Sequence, residues 1–254
     1  MADEVLTETR GRVMIITLNR PDAMNAVNLA VAEQLAAAMD ALDDDPELSV
    51  GVLTGAGRGF CAGMDLKAFV TGGMPVVPGR GFGGITEQPP KKPVITAVEG
   101  FALAGGLELA LSTDLIVSAR GAKFGIPEAG VGLFAAAGAL LRLPRVVPYG
   151  TAMRMALTAQ PITAEEAHEL GLVAELAEKG EALDAAVELA EQVAKNAPLA
   201  LIASKDLLRE MQGRTEAEFW EYQKQHLSTV FSSEDGVEGA TAFAEKRAPN
   251  WKAR

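Results

Sequence analysis

Short apolar runs and segments with helical spacing alternate along the first two thirds of the chain. The runs that predict buried strands are Val5–Thr9, Val13–Leu18, Val50–Thr54, Val94–Val98 and Leu115–Ala119. The first two flank Gly11 and predict a hairpin, and Asn28 is typical of the cap before a helix. Helix starts are also predicted within Met64–Val70 and Gly105–Ser112. This alternation predicts an α/β fold with one main core.

Long helices dominate the last third. They are predicted over Glu181–Asn196, Leu199–Met211 and Glu216–Phe231. Capping-box spacings, which mark helix starts, occur at Thr163 with Glu166 and at Thr215 with Glu218. The change of character near Pro198 predicts that a helical region follows the α/β core.

The chain carries a net negative charge. Of its 254 residues, 23 are Lys or Arg and 34 are Asp or Glu, which gives a net charge of −11. An acidic surface repels the phosphate backbone, so we expect no nucleic-acid partner. The most apolar stretch, Gly130–Leu141, is too short to cross a bilayer, which takes roughly 20 residues, and the first residues lack the apolar run of a signal peptide. We therefore expect a soluble cytoplasmic protein with no membrane partner.

Three features that often indicate chemistry are better explained as structure. The sequence GRGFGG at Gly79–Gly84 matches a dinucleotide-binding fingerprint, but it lies in Thr71–Pro93, whose Gly and Pro content predicts a loop. Cys61 stands in an apolar context with no base placed beside it, so we expect a buried, unreactive thiol. One cysteine and two histidines, His168 and His226, predict no conventional metal cluster.

Two glycine-containing segments, Gly57–Leu66 and Glu99–Ala110, each follow a predicted strand. Glycines let a ligand approach the main chain closely, and an amide at the start of a helix has no intrahelical acceptor. Two such amides converging on one oxygen form an oxyanion hole, although a pair of tight turns explains the same glycines. Glu108, three residues after Gly105, and Glu128 are candidate acids. A first-turn acid that complements the helix dipole and a solvated loop acid are the alternatives for them.

Five motifs in this order resemble those of the enoyl-CoA hydratase/isomerase family, the crotonases. They are NRPDAMNAV at Asn19–Val27, GFCAGMDL, EGFALAGGLELAL, KFGIPEAGVG and FAEKRAPNW at Phe243–Trp251. The resemblance covers nearly the whole chain and implies a spiral of ββα units over residues 1–197, which carries the active site. It implies that the helical region, 198–254, mediates trimerisation, and that the protein is a homotrimer or a hexamer of two trimers. It also implies acyl-CoA thioester substrates and no separate cofactor, because coenzyme A is part of the substrate.

The resemblance assigns roles to individual residues. The oxyanion amides fall on Met64 and Gly105, and the two acids of a hydratase fall on Glu108 and Glu128. The implied reaction is that of an enoyl-CoA hydratase, a hydro-lyase of fatty-acid β-oxidation that adds water to a 2-trans-enoyl-CoA. Glu108 would activate the water, and Glu128 would donate a proton to carbon 2. The residues implied along the coenzyme A and substrate path are Ala23, Met24, Ala26, Ala62, Asp65, Leu66, Lys67 and Lys246.

One segment departs from the family pattern. Hydratases commonly carry P-G-x-G-G-T-x-R-L after the third catalytic motif, whereas this chain has AAAGALLRL at Ala135–Leu143. We expect the added side chains to crowd the water site or to reshape the acyl pocket. An isomerase, a dehydratase or a hydrolase of the same family, and a non-catalytic acyl-CoA-binding module, therefore stay open as alternatives. The sequence does not indicate the length of the acyl chain.

Overall fold

The computed structural model describes residues 3–254. The strands are β1 Val5–Arg10, β2 Val13–Leu18, β3 Val50–Gly55, β4 Val76–Val77, β5 Gly81–Phe82, β6 Val94–Val98, β7 Phe101–Leu103, β8 Leu115–Ala119, β9 Lys123–Gly125, β10 Ile162–Thr163 and β11 Glu175–Ala177. The α-helices are α1 Leu29–Asp44, α2 Leu66–Val70, α3 Gly105–Ala110, α4 Ala139–Val146, α5 Tyr149–Thr158, α6 Ala164–Glu169, α7 Ala182–Ala194, α8 Pro198–Glu210, α9 Glu216–Phe231 and α10 Glu234–Glu245. Two 3-10 helices lie at Pro21–Ala23 and Pro127–Val131.

A six-stranded sheet in the order β1-β2-β3-β6-β8-β11 forms the first layer. The β1–β2 hairpin is antiparallel and pairs Val5 with Leu18, and every other neighbouring pair in this sheet is parallel. A second, three-stranded sheet has the order β10-β9-β7. The predicted α/β class and the predicted hairpin are confirmed.

Three successive units repeat one path through these layers. In each unit a long strand of the first sheet leads to a short extended segment of the second layer and then to a helix. The units are β3 with Cys61 and α2, β6 with β7 and α3, and β8 with β9 and the 3-10 helix Pro127–Val131. The short segments lie side by side in parallel, because Cys61 bridges to Ala102 of β7 and β7 pairs with β9. The ββα spiral expected from the resemblance is therefore present.

The core lies on both faces of the six-stranded sheet. One face packs against α1 and the second layer, and its fully buried side chains include Leu35, Phe60 and Phe124. The opposite face carries β-branched residues such as Val52, which pack against the alanine-rich side of α7 around Ala186. Strands buried on both faces read as continuous apolar runs rather than as alternating ones. This is why the sequence displays the strands of this sheet so clearly.

Two predicted helix starts have different outcomes. The capping box at Thr215 is confirmed, because the Thr215 side chain accepts from the Glu218 amide and the Glu218 carboxylate accepts from the Thr215 amide. At Thr163 only half of the box forms. The Thr163 hydroxyl accepts from the Glu166 amide, but the Glu166 carboxylate pairs with Arg154 instead. The reciprocal bond predicted there is wrong, because a cation distant in sequence takes the acid.

The stretch Thr71–Pro93 contains a small hairpin within the predicted loop. Strands β4 and β5 pair antiparallel, with Val76 opposite Phe82. The GRGFGG sequence lies across this hairpin and the turn after it, and no α-helix begins there. A dinucleotide-binding glycine loop needs a strand before it and a helix after it, so the structure agrees with the structural interpretation of this motif. Among the described residues, no helix combines the length and apolarity needed to cross a bilayer.

Candidate active site

A cavity of about 410 Å³ lies beside the starts of the three helices that end the repeated units. Its wall is mainly apolar, and three glutamates, Glu87, Glu108 and Glu128, line it. The lining residues are Ala62, Met64, Leu66, Phe69, Met74, Val76, Phe82, Thr86, Glu87, Ala104, Gly105, Glu108, Pro127, Glu128, Val131, Leu133, Phe134, Ala136 and Ala137. The structure therefore brings together the two predicted oxyanion residues, Met64 and Gly105, and the two predicted acids, Glu108 and Glu128.

Two main-chain amides in the cavity wall are free to donate. Within residues 3–254, neither the Met64 nor the Gly105 N–H has a hydrogen-bond acceptor. The two segments touch, since a Cβ on Gly63 would lie 2.9 Å from the Gly105 nitrogen. Two unpaired donors from neighbouring segments have the composition of an oxyanion hole.

The Met64 amide is free for a reason other than the predicted one. We expected a helix to begin near Met64, but α2 begins at Leu66, and Asp65 is its N-cap. Met64 instead continues an extended segment that forms a β-bridge with Val27. The main-chain groups on either side of Met64 are paired, because the Val27 amide donates to the Gly63 carbonyl and the Asp65 amide donates to the Val27 carbonyl. The Met64 N–H faces away from this ladder. Its freedom is a property of strand alternation, not of a helix end.

The Gly105 amide is held by an unusual backbone. Ala104, the N-cap of α3, has φ 51 and ψ −129, a combination that residues with a side chain rarely adopt. Gly105 itself cannot carry a side chain, because a Cβ would lie 2.5 Å from the Phe82 ring. The chain thus bears backbone strain at the turn that presents this amide, as is common at functional sites.

Glu108 lies on the first turn of α3 and is 3% exposed. Its Oε1 accepts two main-chain hydrogen bonds, from the Ala137 amide at 2.7 Å and from the Ala139 amide at 3.1 Å. Burial raises the pKa of Glu108, while these two amides and the charge of Arg142 oppose that increase. Glu108 is therefore a fixed carboxylate, oriented by a turn that follows it by some thirty residues.

Glu128 lies in the first turn of the 3-10 helix Pro127–Val131. Its Oε2 is buried and has no hydrogen-bond partner among residues 3–254. Burial, followed by the negative charge of Glu108, raises the pKa of Glu128 to about 7, although a main-chain hydrogen bond lowers it. The pair is therefore asymmetric in its hydrogen bonding, because Glu108 accepts two main-chain amides and Glu128 Oε2 accepts none, while burial raises the pKa of both acids.

The Ala135–Leu143 segment contributes to the cavity in two ways, and the expected effect of its side chains on the water site or the acyl pocket stays a prediction. The side chains of Ala136 and Ala137 line the cavity, but the amides of Ala137 and Ala139 are what hold Glu108. These donors were missed in the sequence because every residue except proline has one. The only signal was the position of the segment, which follows the third motif of the resemblance.

The residues expected along the coenzyme A path divide into two groups. Ala62 and Leu66 line the cavity. The structure does not bring the others into the cavity wall, namely Ala23, Met24, Ala26, Asp65, Lys67 and Lys246. The first three belong to a turn that contacts the wall from outside, where the Ala62 amide donates to the Met24 carbonyl.

Asp65 has structural partners. Its side chain caps α2 by accepting from the amides of Lys67 and Ala68, and it also pairs with Arg20 at 3.0 Å. Asp65 is therefore held by contacts that stabilise the start of α2. Lys67 is exposed beside this cap, and Lys246 is exposed at the end of α10, in a left-handed backbone conformation.

Cys61 and the two histidines do not line the cavity. Cys61 is buried, and burial raises the pKa of its thiol to about 12. His168 bonds the Val173 carbonyl through Nδ1, and His226 pairs with Asp206. Across the described part of the chain, no group of three potential ligands forms a metal site.

Comparison with known proteins identifies relatives over the whole length. The sequence model of the enoyl-CoA hydratase/isomerase family matches residues 8–254. The chain is 41% identical to the enoyl-CoA hydratase EchA19 of Mycobacterium tuberculosis over 99% of this chain and 97% of the relative. It is also 41% identical to the carnitinyl-CoA dehydratase of Salmonella typhi over the full length of both. A crystal structure of an enoyl-CoA hydratase from Mycobacterium tuberculosis H37Rv superposes with a TM-score of 0.97 and 57% identity, covering 99% of this chain and 100% of that one.

Proposed function

Because the chain belongs to the enoyl-CoA hydratase/isomerase family, we propose that it is an enoyl-CoA hydratase. The reaction is the reversible addition of water to a 2-trans-enoyl-CoA, which gives a 3-hydroxyacyl-CoA. One observation carries the proposal: two free amides, at Met64 and Gly105, share a cavity with two acids, Glu108 and Glu128. An isomerase or a hydrolase has no evident need for both acids, whereas hydration uses one to take a proton and one to give a proton.

The oxyanion amides stabilise the charge that develops during the addition. The thioester carbonyl oxygen accepts from the Met64 and Gly105 amides. When water adds to carbon 3, the electrons of the double bond move toward that oxygen, and the two donors stabilise the resulting enolate. One such donor typically contributes about 2.7–4 kcal/mol of transition-state stabilisation.

The two acids complete the proton transfers. Glu108, held as a carboxylate by the Ala137 and Ala139 amides, takes a proton from the attacking water. Glu128, whose pKa is raised to about 7, donates its proton to carbon 2. The proton gained and the proton lost balance, so one exchange between the two acids restores the starting state. Acid–base assistance of this kind contributes roughly 10²–10⁴-fold.

The substrate is expected to approach from the side of Ala62 and Leu66. We assign Ala23, Met24 and Ala26, which flank Ala62, to the outer path of the coenzyme, with Asp65 and Lys67 at its edge. Coenzyme A is part of the substrate in this scheme, and the reaction needs no separate cofactor. The apolar wall beyond the acids, which includes Phe82 and Phe134, then holds the acyl chain.

The helical region 198–254 is the proposed trimerisation region. It exposes large apolar side chains that a monomer would leave in water, at Leu208, Met211, Leu227, Phe231 and Phe243. In a trimer or a hexamer, Lys246 would lie near the same surface and could approach the coenzyme of a neighbouring subunit. Light scattering of the purified protein tests this assembly, and the Phe231→Asp variant is expected to weaken it.

Dehydration of a charged 3-hydroxyacyl-CoA is a second candidate. Glu87 lines the same cavity as the aromatic residues Phe82 and Phe134. A carboxylate with aromatic faces suits a quaternary ammonium. This arrangement favours a substrate of the kind that the name of the Salmonella relative indicates. The ratio of kcat/KM for crotonobetainyl-CoA and crotonyl-CoA discriminates between the two candidates, and Glu87→Gln should lower that ratio.

Hydration of crotonyl-CoA and of longer 2-enoyl-CoA thioesters tests the main proposal. Glu108→Gln and Glu128→Gln are each expected to lower kcat by roughly 10²–10⁴-fold, while binding of the unreactive butyryl-CoA persists. Glu169→Gln is the matched control, because it removes an exposed carboxylate that does not line the cavity. Folded wild-type protein that hydrates none of these thioesters would contradict the proposal, and so would full activity in either variant.

A further inference from the structure

Arg142 lies behind the catalytic acids, in the first half of α4, and is only partly exposed. Its guanidinium donates through Nη2 to the Thr86 carbonyl at 2.5 Å and through Nη1 to the Ser112 hydroxyl at 3.3 Å. Within residues 3–254, no carboxylate lies within ion-pair distance of it. An arginine withdrawn from water without a direct acidic partner is uncommon, because charges are rarely buried unpaired.

The guanidinium packs against the turn that holds Glu108. Gly138 separates the two amides that donate to the Glu108 carboxylate, and it has φ 111. A Cβ on Gly138 would collide with Nη1 of Arg142. Gly138 is therefore required both by its backbone conformation and by the arginine that covers it.

The second contact of Arg142 also leads to Glu108. The Ser112 hydroxyl, which accepts from Arg142, itself donates to the Glu108 main-chain carbonyl at 2.7 Å. The third contact, at Thr86, fixes the segment that forms another part of the cavity wall. One side chain thus connects the helix of Glu108, the turn that orients its carboxylate and the neighbouring wall.

We propose that Arg142 is a positioning residue for the hydration reaction, which locks the Ala137–Ala139 turn onto Glu108 and so aims that carboxylate at the water. The inference rests on the proposed function of the same site. Arg142 does not line the cavity, so it acts on substrate only through Glu108.

Electrostatics support this geometry. The charge of Arg142 lowers the pKa of Glu108, whereas Glu108 raises the pKa of Glu128. The charged groups that act on Arg142 itself are Arg209 of α8 and Arg145 of its own helix, together with Glu108 of α3. Removal of the Arg142 charge should therefore raise the pKa of Glu108 and reduce the difference between the two acids.

The test compares Arg142→Gln with Arg145→Gln in the full-length protein. Arg145 is exposed on the same helix and donates no side-chain hydrogen bond within the described residues, so its loss removes an equal charge without disturbing the turn. Arg142→Gln should lower kcat for crotonyl-CoA by about 10- to 100-fold, the effect of a small misplacement of a catalytic group. KM and the Kd of butyryl-CoA should stay within about twofold of wild type. The acid limb of the pH profile of kcat/KM should move to higher pH, and Arg145→Gln should match wild type in all these measurements.

Arg142→Lys separates charge from contact. Lysine keeps the positive charge but cannot reproduce the forked donor, so it should restore the pH profile while kcat stays reduced. If Arg142→Gln fails to fold, Arg142→Lys decides the matter through its kcat and its pH profile. Wild-type kcat in these variants would overturn the inference, as would a loss of kcat matched by an equal loss of butyryl-CoA binding.

The two proposals fail in different ways. If Glu108→Gln retains full hydration, the proposed function fails whatever Arg142 does. If Glu108→Gln is inactive and Arg142→Gln behaves as wild type, only the role of Arg142 is wrong.

Discussion

Replacing Glu128 with Gln should make the protein more stable above neutral pH while it abolishes most of the activity. Glutamine has the shape of a protonated glutamate but cannot ionise. In the wild type, burial and the nearby charge of Glu108 raise the pKa of Glu128 from 4.5 to about 7. At pH 8 the folded protein must therefore carry an anion that its surroundings disfavour, and the variant is relieved of that penalty.

The size and the sign of the effect follow from linkage. A group whose pKa is raised on folding binds more protons in the folded state than in the unfolded state. The contribution of Glu128 to the free energy of unfolding is therefore fully present below pH 4.5 and is lost as the pH rises through about 7. Each pKa unit corresponds to about 1.4 kcal/mol, which gives an upper bound of roughly 3 kcal/mol. The carboxyl is only partly buried at an open cavity, so screening by solvent reduces this to roughly 1–2 kcal/mol. For a chain of this size we expect a Tm increase of roughly 2–8 °C.

Thermal unfolding of the wild type and of Glu128→Gln at pH 5 and pH 8.5 measures the effect. The difference in Tm between the two proteins should be small at pH 5 and should favour the variant at pH 8.5. Other ionisable groups cancel, because they are common to both proteins. Equal Tm differences at both pH values, or a variant less stable than wild type at pH 8.5, would refute the assignment of a raised pKa to Glu128.

Four further outcomes are expected. Hydration should slow as the pH rises above about 7, because Glu128 loses the proton that it donates, and a pH profile of kcat/KM measures this. Cys61, whose pKa burial raises to about 12, should resist iodoacetamide in the native protein and react once urea unfolds it. Ala104→Gly should relieve a strained backbone and raise the free energy of unfolding by roughly 1 kcal/mol in urea titrations. Thr86→Val removes a buried hydroxyl that lacks a partner within residues 3–254 and should leave that free energy unchanged or raise it by up to about 1 kcal/mol.

The sequence was informative about the site where a side chain does the chemistry. Glu108 and Glu128 were candidates because one follows a glycine-rich segment and the other a proline, and the resemblance then assigned them as the two acids. The assignment of the Met64 and Gly105 amides as oxyanion donors came from motif position and stays a proposal, since a main-chain N–H leaves no mark in the sequence. The amides that orient Glu108 were missed for the same reason.

Features of the fold that are set by residues close together in the sequence were predicted, whereas features set by more distant residues were missed. The hairpin of β1 and β2 and the capping box at Thr215 are set by neighbouring residues, and both were predicted. The half-formed box at Thr163 was not, because Arg154 competes for Glu166 from an adjacent helix. The short strand β9, Lys123–Gly125, was missed as well. A three-residue strand has too little periodicity to be recognised, and only its pairing with β7 defines it.

The sequence AAAGALLRL at Ala135–Leu143, which replaces the glycine-rich pattern of the family, is compatible with hydration because the main chain and the side chains of this segment have different roles. An alanine supplies the same N–H as a glycine, so both donors to Glu108 survive the change. The one glycine that the segment retains, Gly138, is the residue whose backbone conformation and contact with Arg142 exclude a side chain. Of its side chains, those of Ala136 and Ala137 line the cavity. The substitution should therefore alter which acyl chains fit and leave the orientation of the catalytic carboxylate intact.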